Sequence, residues 1–342
     1  MAKHTTVCAG IDTGKRKLDV AIDGRSDRLQ VNNRADGHQK LVVWLRQHRV
    51  KRVGIEASGG YERAVVTELR RHHFVVVVFQ PAQVRAYAIF HLQRAKNDRI
   101  DAALIATCTR DVKNIHAPPD PRLALLADHL TMIDQITEDI AKLKNRRESG
   151  RDPRIQQFWK DEIKRLEKLE KTELKSLVQA IRAHRDLAER LDLINSIDGI
   201  GLRTAVAILV RMPEIGRVTR EEAAAIVGVA PYDDDSCDHV GVRHICGGRE
   251  RLRRALYNAA FAAAFRWNPQ LIALYKRLIA AGKEHKVALI ACTRKLLVFA
   301  TTVVERGTPW TAQSPLASVK LRAPNRSRQC LRAKFRATAV RP

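Results

Sequence analysis

The hydrophobic pattern of this chain changes at a cluster of prolines, and this change limits the fold more than any other feature. Before Pro118, short apolar runs such as the one in FVVVVFQP, which Pro81 terminates, alternate with stretches of helical spacing. After Pro121, apolar residues recur every three or four positions over most of the chain. Alternating strands and helices favour a mixed sheet covered by helices, and the later spacing is typical of amphipathic helices. The sequence therefore predicts an α/β domain followed by a mostly α region.

Four segments follow from these patterns. We expect an α/β domain at 1–117, a long antiparallel helical hairpin or coiled coil at 118–190, a helical domain at 191–305 and a basic tail at 306–342. The tail contains nine Lys or Arg and no Asp or Glu. Such a composition is typical of a disordered segment that contacts nucleic acid.

The predicted hairpin rests on two charged amphipathic stretches that flank the turn RESGRDPR. Apolar residues keep helical spacing from Leu126 to Leu143 and again from Ile155 to Ile181. Such a pair forms an antiparallel hairpin or a coiled coil. Plain domain packing explains the pattern as well as dimerisation or nucleic-acid bridging does.

The net charge limits the class of partner. The chain has 62 Lys and Arg against 37 Asp and Glu, which gives +25 and predicts a polyanion, with nucleic acid ahead of an anionic membrane surface. No uninterrupted apolar stretch approaches the roughly 20 residues of a membrane span. The start of the chain lacks the apolar core of a signal peptide, so we expect a cytoplasmic protein with no membrane partner. Its six cysteines form no CxxC pair, which favours reduced thiols.

Four acidic residues stand out in the α/β segment. Asp12 and Glu56 each end a predicted strand, and Asp98 and Asp101 share one face of a predicted helix in AKNDRIDAALIA. Carboxylates that converge from separate elements suit Mg²⁺, with Mn²⁺ as the alternative, in phosphoryl transfer. Each acid also has an ordinary explanation, since Asp12 suits a turn, Asp98 an N-cap and Asp101 an ion pair with an arginine.

Two segments of the C-terminal half suit contacts with a phosphate. In LINSIDGIGLRTAVAILVRMP, Gly-Ile-Gly lies between two apolar helices, as in a helix-hairpin-helix, although tight helix packing explains these glycines nearly as well. The second segment is CGGRERLRRALY, in which a glycine pair precedes a basic helix. Guanidinium groups bind phosphate through paired hydrogen bonds. The predicted nucleic-acid-binding residues are Arg243, Gly247, Gly248, Arg249, Arg251, Arg253 and Arg254.

Ser236 precedes this basic helix, directly after the turn PYDDD. A hydroxyl beside phosphate-binding arginines can attack phosphorus, but it needs activation to do so. Composition alone favours an ordinary loop serine. His239 and His244 are candidates for proton transfer, although a structural or phosphate-contacting role suits them better.

Several motifs resemble one family. GIDTGKRKLDVAI, IEASGGYER, PAQVRAYA and AKNDRIDAALIA resemble the N-terminal domain of the IS110 (IS110/IS116/IS902-type) DEDD transposases, and APYDDDSCDHVGVRHICGGRERLRRAL resembles their C-terminal transposase domain. The resemblance implies a RuvC-like version of the ribonuclease H fold, in which Asp12, Glu56, Asp98 and Asp101 are the metal ligands. It also implies that Ser236 is the covalent nucleophile in DNA strand exchange. Cys237 departs from the family, whose members commonly have Gly after this serine.

The same resemblance implies the partners. They are donor and target DNA, a structured noncoding bridge RNA, and further copies of the chain in a dimer or tetramer, in which the acids of one subunit meet the serine of another. The expected location is the bacterial cytoplasm, at the nucleoid. Two other functions fit the residues: a junction-resolving nuclease with activated water, which needs no Ser236, and a non-catalytic nucleic-acid-binding protein, which needs none of the acids.

Overall fold

A computed structural model describes residues 6–93, 98–113, 115, 120–233, 235 and 241–311, with the backbone alone for Asp98 and Arg99. The chain divides into two compact units, one up to Pro118 and one from Pro119 onward. The prediction of an α/β segment followed by a mostly helical one is confirmed. The division into four domains stays a prediction.

The first unit is built on a five-stranded mixed sheet. Its strands are β1 (Cys8–Thr13), β2 (Lys17–Ile22), β3 (Arg28–Asn32), β4 (Arg52–Glu56) and β5 (Val75–Phe79). Its helices are α1 (Ala35–Gln47), α2 (Arg63–Arg71), α3 (Pro81–Phe90) and α4 (Asp98–Asp111). The strand order is β3-β2-β1-β4-β5, with β1 to β3 antiparallel in turn and β4 and β5 parallel to β1.

The two faces of this sheet are packed in different ways. Ile11 and Ile55 belong to an apolar core that they share with α1 and α2. On the other face, Gly10 and Gly54 lie against α4, where any Cβ would overlap atoms of that helix. Because successive residues of a strand point to opposite faces, these glycines give α4 a close approach to β1 and β4.

The described part of the second unit is helical apart from a small ribbon. Its elements are α5 (Pro121–Ser149), α6 (Pro153–Arg182), α7 (Arg185–Asn195), α8 (Leu202–Arg211), α9 (Arg220–Val227), β6 (Pro231–Tyr232), β7 (His244–Ile245), α10 (Glu250–Ala262), a π-helical turn (Ala263–Trp267), α11 (Pro269–Ala280) and α12 (His285–Arg306). One large apolar cluster joins α5 to α12. The short ribbon pairs β6 with β7 antiparallel.

The helices α5 and α6 form an antiparallel hairpin. His129 of α5 contacts Glu173 of α6 at 2.9 Å, and Lys144, further along α5, contacts Glu167 at 2.9 Å. The contact residues are later in α5 where they are earlier in α6, so the two helices run in opposite directions. The predicted hairpin is therefore confirmed. Each helix starts at an Asp-Pro pair whose Asp side chain caps the first turn. The coiled-coil interpretation stays a prediction.

The helix α12 lies in the core of the second unit. By length and composition it alone among the described helices suits a membrane span, yet 67% of that window is buried inside the unit. After its end at Arg306, Trp310 is buried against Phe299, and its backbone N–H donates to Ser196 Oγ at 2.8 Å. The expectation of a disordered tail from residue 306 is therefore wrong for its first residues, because burial of an indole outweighs the basic composition.

Candidate functional site

Asp12 and Glu56 lie side by side near the carboxyl ends of two parallel strands. The register pairs Ile11 of β1 with Ile55 of β4, so the next residue on each strand is an acid. Neighbouring strands are about 4.8 Å apart, and both acids point away from the Ile11 face, towards the face that α4 covers. Both side chains are partly exposed. The prediction that each acid lies at a strand end is confirmed.

The direction of α4 brings its first turn to these two acids. Arg52, at the start of β4, donates to the backbone oxygens of Thr109 at 3.3 Å and Val112 at 3.1 Å, at the end of α4. A Cβ on Gly54, two residues before Glu56, would also meet Thr109 Oγ1, so the last turn of α4 packs on the first half of β4. Asp101 precedes Thr109 by about 12 Å of helix, in the direction of the acid-bearing strand ends.

A second set of contacts gives α4 the same direction. The Thr107 hydroxyl donates to the Asp23 carboxylate at 2.9 Å, and the Asp23 backbone N–H donates to the Cys8 oxygen at the start of β1 at 3.0 Å. Further along β1, Gly10 packs against the backbone of Ala102, which lies earlier in α4. The helix therefore runs antiparallel to β1 as well as to β4.

Asp98 opens α4, and Asp101 follows in the same first turn. The Asp98 side chain lies outside the described residues, whereas the Asp101 side chain is partly exposed. Among the side chains that the structure describes, no three His, Cys, Asp or Glu are close enough to hold an ion. The structure brings together the backbone of β1, β4 and α4, which are the elements that carry the four acids. Carboxylates are the donors that a hard divalent cation prefers.

Asp19, which is not among the predicted site residues, also belongs to this end of the sheet. It is the cross-strand partner of Asp12, so the two carboxylates share a face. Asp19 is 8% exposed, and it accepts from Gln30 Nε2 at 2.6 Å and lies 3.2 Å from Lys17 Nζ. The sequence signal that could have identified Asp19 is its position inside the apolar run LDVAI, since acids are rarely buried without a partner.

The Asn33 side chain forms hydrogen bonds with both of the loops that follow the acid-bearing strands. Its Nδ2 donates to the backbone oxygens of Gly14 and Tyr61, both at 3.0 Å. Its Oδ1 accepts from Nε2 of His38 at 2.8 Å, which requires the tautomer with a proton on that nitrogen. His38 is buried, and burial lowers its pKa despite nearby acids, so the neutral ring is favoured. No sequence pattern indicated these non-local contacts.

The predicted nucleophile, Ser236, lies outside the described residues, as do Cys237 and His239. The chain on either side of this segment forms the ribbon β6–β7, in which Tyr232 pairs with His244. His244 is exposed, and Tyr232 has a substantially exposed ring. The predicted roles of these residues therefore stay predictions.

Two polar contacts join the segment that follows β6 to the segment that precedes β7. Arg243 forms an exposed ion pair with Asp233 at 2.5 Å. The Asp235 carboxylate accepts from the backbone N–H of Gly241 at 2.9 Å. Exposed ion pairs contribute little stability, so the Asp233 contact leaves Arg243 accessible to a phosphate.

The glycine pair before α10 has two separate structural reasons. Gly248 has a φ of +73° and lies so close to the Gly228 backbone that a Cβ would overlap it. Gly247 has a φ of +62° with open space around its missing side chain. Packing and backbone conformation thus account for both glycines, and a role in phosphate binding stays a prediction.

The four arginines of the basic segment each have a partner within the second unit. The partners are Glu214 for Arg249 at 2.6 Å, Asp134 for Arg251 at 3.7 Å, the Gly247 backbone oxygen for Arg253, and Glu138 for Arg254 at 2.7 Å. These contacts join α10 to α5, to the chain after α8 and to the loop before α10. A phosphate would have to share or replace these partners, so the nucleic-acid role stays a prediction.

The Gly-Ile-Gly turn joins α7 to α8 as the sequence predicted. Gly199 has a φ of +95° and packs against Ala263 of the π-helical turn, whereas Gly201 caps α8 and is exposed. Helix packing therefore explains Gly199. A shallow cavity of about 450 Å³ lies beside this turn, and Asn258 and Trp267 line its other side.

Two family models match this chain, one in each half. A model of IS110-type DEDD proteins, described as a transposase, matches residues 9–149, and a model described as the transposase IS116/IS110/IS902 family matches residues 191–276. Together they cover more than half of the chain. The chain belongs to the IS116/IS110/IS902 family of transposases. The resemblance of its motifs to this family is confirmed.

Family membership establishes the broad activity of this transposase. It is an enzyme of DNA transposition or recombination, and DNA is its substrate. The DEDD class to which its N-terminal half belongs implies dependence on a divalent metal. The identity of the ion, the ligand residues and the covalent step stay predictions.

Curated relatives match the transposase over nearly its whole length. The pilin gene-inverting proteins of Moraxella bovis and Moraxella lacunata are each 26% identical over 318 residues, which cover 88% of this chain and 96% of theirs. Among solved structures, RuvC of Thermus thermophilus matches with 19% identity and a TM-score of 0.21, over 33% of this chain and 84% of that one. The RuvC-like fold of the first unit stays a prediction.

Proposed function

We propose that this protein is the transposase of an insertion sequence and that it exchanges DNA strands through a covalent phosphoserine at Ser236. The observation that supports the acidic half of this site is the antiparallel course of α4, whose first turn lies towards the carboxyl ends of β1 and β4. Asp12, Glu56, Asp98 and Asp101 would together hold Mg²⁺, or Mn²⁺ in its place, because carboxylates from separate elements suit this ion.

The chemistry is two successive transfers of one phosphoryl group. The Ser236 hydroxyl loses its proton to solvent as its oxygen attacks phosphorus, the bond from phosphorus to the departing strand breaks, and the departing oxygen takes up a proton. A hydroxyl group of another strand then loses its proton as it attacks the phosphoserine, and the serine oxygen leaves and is reprotonated. Divalent ions at the acids would stabilise charge on the phosphate and on the leaving oxygen. The serine ester retains the bond energy, so strand exchange needs no ATP.

The remaining partners belong to the same proposal. A bridge RNA would pair with donor and target DNA, and the charge of +25 suits either nucleic acid. A dimer or tetramer would bring the acids of one subunit to Ser236 of another, with the α5–α6 hairpin as an assembly element. We also propose a RuvC-like ribonuclease H fold for the first unit, supported by its mixed sheet. The expected location is the bacterial cytoplasm, at the nucleoid.

The test is a search for a protein–DNA adduct. The purified protein is incubated with Mg²⁺, donor and target DNA, and RNA transcribed from the flanks of its element, and the products are separated on a denaturing gel. We expect an adduct with the wild type and with Ser176→Ala, an exposed serine of α6, and none with Ser236→Ala. Cleavage without an adduct that Ser236→Ala leaves unchanged would instead indicate a metal-dependent nuclease with activated water.

A further inference from the structure

A row of aromatic rings lies exposed on the second unit, and none of its members belongs to the predicted catalytic residues. Phe261 and Phe265 are each 49% exposed, and their ring centroids are 5.0 Å apart. Phe265 in turn contacts Tyr275 at 4.8 Å, and Tyr275 contacts His285 at 5.8 Å. Single exposed apolar side chains are common on protein surfaces, but several that lie together usually mark a binding surface.

The π-helical turn between α10 and α11 contributes to this surface. It spans Ala263–Trp267, so it carries Phe265 and also Trp267, which is 59% exposed. Asn268 fixes the end of the turn, since its side chain donates to the Asp198 oxygen and accepts from the Leu271 backbone N–H. Single π-helical turns occur often at functional sites. Here the turn presents two large rings on a rigid support: Phe265 belongs to the aromatic row, and Trp267 lies beside the cavity at the Gly-Ile-Gly turn.

Charge indicates the kind of partner. Residues 261–289 contain five Lys or Arg and one Glu, and all five cations are exposed. A second copy docked symmetrically would place this surface against itself and oppose like charges. A polyanion with flat apolar groups fits both the cations and the rings. Unpaired bases stack on aromatic side chains, whereas the bases of a duplex are already stacked.

We propose that this aromatic surface binds single-stranded DNA, with unpaired bases stacked on Phe265 and Trp267. Trp267 also lines the cavity beside the Gly-Ile-Gly turn, so a strand that stacks on this ring passes along that cavity. The biological use of the surface rests on the proposed strand exchange, because separated strands arise only when a duplex is opened. Binding itself requires neither Ser236 nor a metal ion.

Binding is measured by fluorescence anisotropy with the full-length protein, EDTA and a labelled oligo-dT, beside an oligo-U and a duplex of equal length. Phe265→Ala and Trp267→Ala should each weaken oligo-dT binding about tenfold, within the range for loss of one stacked base, and leave duplex binding unchanged. Phe158→Ala is the matched control, since Phe158 is 62% exposed on α6. Trp267→Phe should restore most of the affinity. Thermal unfolding confirms that every variant is folded.

Three results would overturn the proposal. The first is Phe265→Ala and Trp267→Ala variants that bind oligo-dT as tightly as Phe158→Ala does. The second is loss of oligo-U binding with oligo-dT binding intact, which would assign the surface to RNA. The third is a smaller assembly by mass photometry with unchanged oligo-dT affinity, which would assign it to contacts between subunits. A missing adduct in the Ser236 experiment changes none of these readouts.

Discussion

The backbone carbonyl oxygen of Ala102 fills the space that a Cβ atom on Gly10 would need. This contact sets how closely α4 approaches β1, two residues before Asp12. It therefore links the packing of the first unit to the position of the predicted metal ligands, since α4 begins with Asp98 and Asp101. A larger residue at position 10 has to move the helix, the strand or both.

Gly10→Ala should destabilise the first unit by about 2 kcal/mol, because overpacking a rigid backbone contact has a cost of this size. It should also lower strand-exchange activity more than DNA affinity, since the acids shift while the basic surfaces stay. Thermal unfolding and the adduct assay measure the two effects. Gly150→Ala is the control, because a Cβ there meets only ordinary contacts. Equal stability of the two variants would show that α4 adjusts freely.

Asp101→Asn should lower strand exchange at least about a hundredfold, the size of effect seen when one charge-stabilising group is removed from an active site. DNA affinity should stay the same, because the change leaves every cation in place. Filter binding and the adduct assay on the same preparation separate the two. Asp161→Asn, an exposed acid on α6, is the matched control. Full activity of Asp101→Asn would remove this residue from the metal site.

These acids could be found from sequence because each lies next to a regular element with a strong local pattern. Strand ends and the first turn of a helix follow from nearby residues, and the family motifs supply the joint assignment. The contacts that hold the site could not be found this way. Asn33 reaches Tyr61 across 28 positions, and Asp19 meets Asp12 only once the register of β1 and β2 is known. Non-local pairing of this kind leaves no periodic trace in a sequence.

The C-terminal half shows a different limit of sequence reasoning. The sequence predicts phosphate binding by the basic helix after the glycine pair, but it does not reveal that Arg249 and Arg254 lie against Glu214 and Glu138. Charge counts along a segment do not reveal acids contributed by other helices. Trp310 shows the same point for apolar groups, since one indole orders the start of a segment whose composition indicates disorder.

The first unit should lose stability in acid through His38. Burial lowers the pKa of His38 in the folded protein, below its ordinary value of about 6.5. The unfolded chain therefore takes up the proton more readily, and this contribution is complete above about pH 6.5 and is lost as the pH falls below it. His38→Gln keeps a donor for Asn33 and removes the titrating ring. The melting temperature of this variant should therefore decline less than that of the wild type between about pH 7.5 and about pH 5.5, a range that brackets the ordinary pKa of histidine.

His184→Gln is the control for this measurement, because His184 is exposed at the start of α7 and its side chain makes no cap hydrogen bond. Its melting temperature should decline in acid as the wild type does. If the melting temperatures of His38→Gln and the wild type decline in parallel, then His38 takes up its proton equally in the folded and unfolded states. That result would contradict a pKa lowered by burial.

The second unit depends on one carboxylate that serves three guanidinium groups. Asp134 accepts from Arg211 at 2.7 Å and from Arg203 at 3.3 Å, and Arg251 lies 3.7 Å away. Arg211 is largely buried, and burial lowers its pKa more strongly than Asp134 raises it. Asp134→Asn leaves the three cations close together without this negative charge. We expect a loss of about 2 kcal/mol, below the usual figure for a fully buried pair because Arg203 and Arg251 reach solvent.

Urea unfolding measures this loss, and Asp139→Asn on the same helix is the control, since Asp139 forms an exposed pair with Lys142. The Asp139→Asn variant should unfold as the wild type does. Added salt should recover part of the Asp134→Asn loss, because mobile anions screen the repulsion among the arginines. An Asp134→Asn variant as stable as the wild type at low salt would mean that Glu170, which also binds Arg203, already neutralises the group.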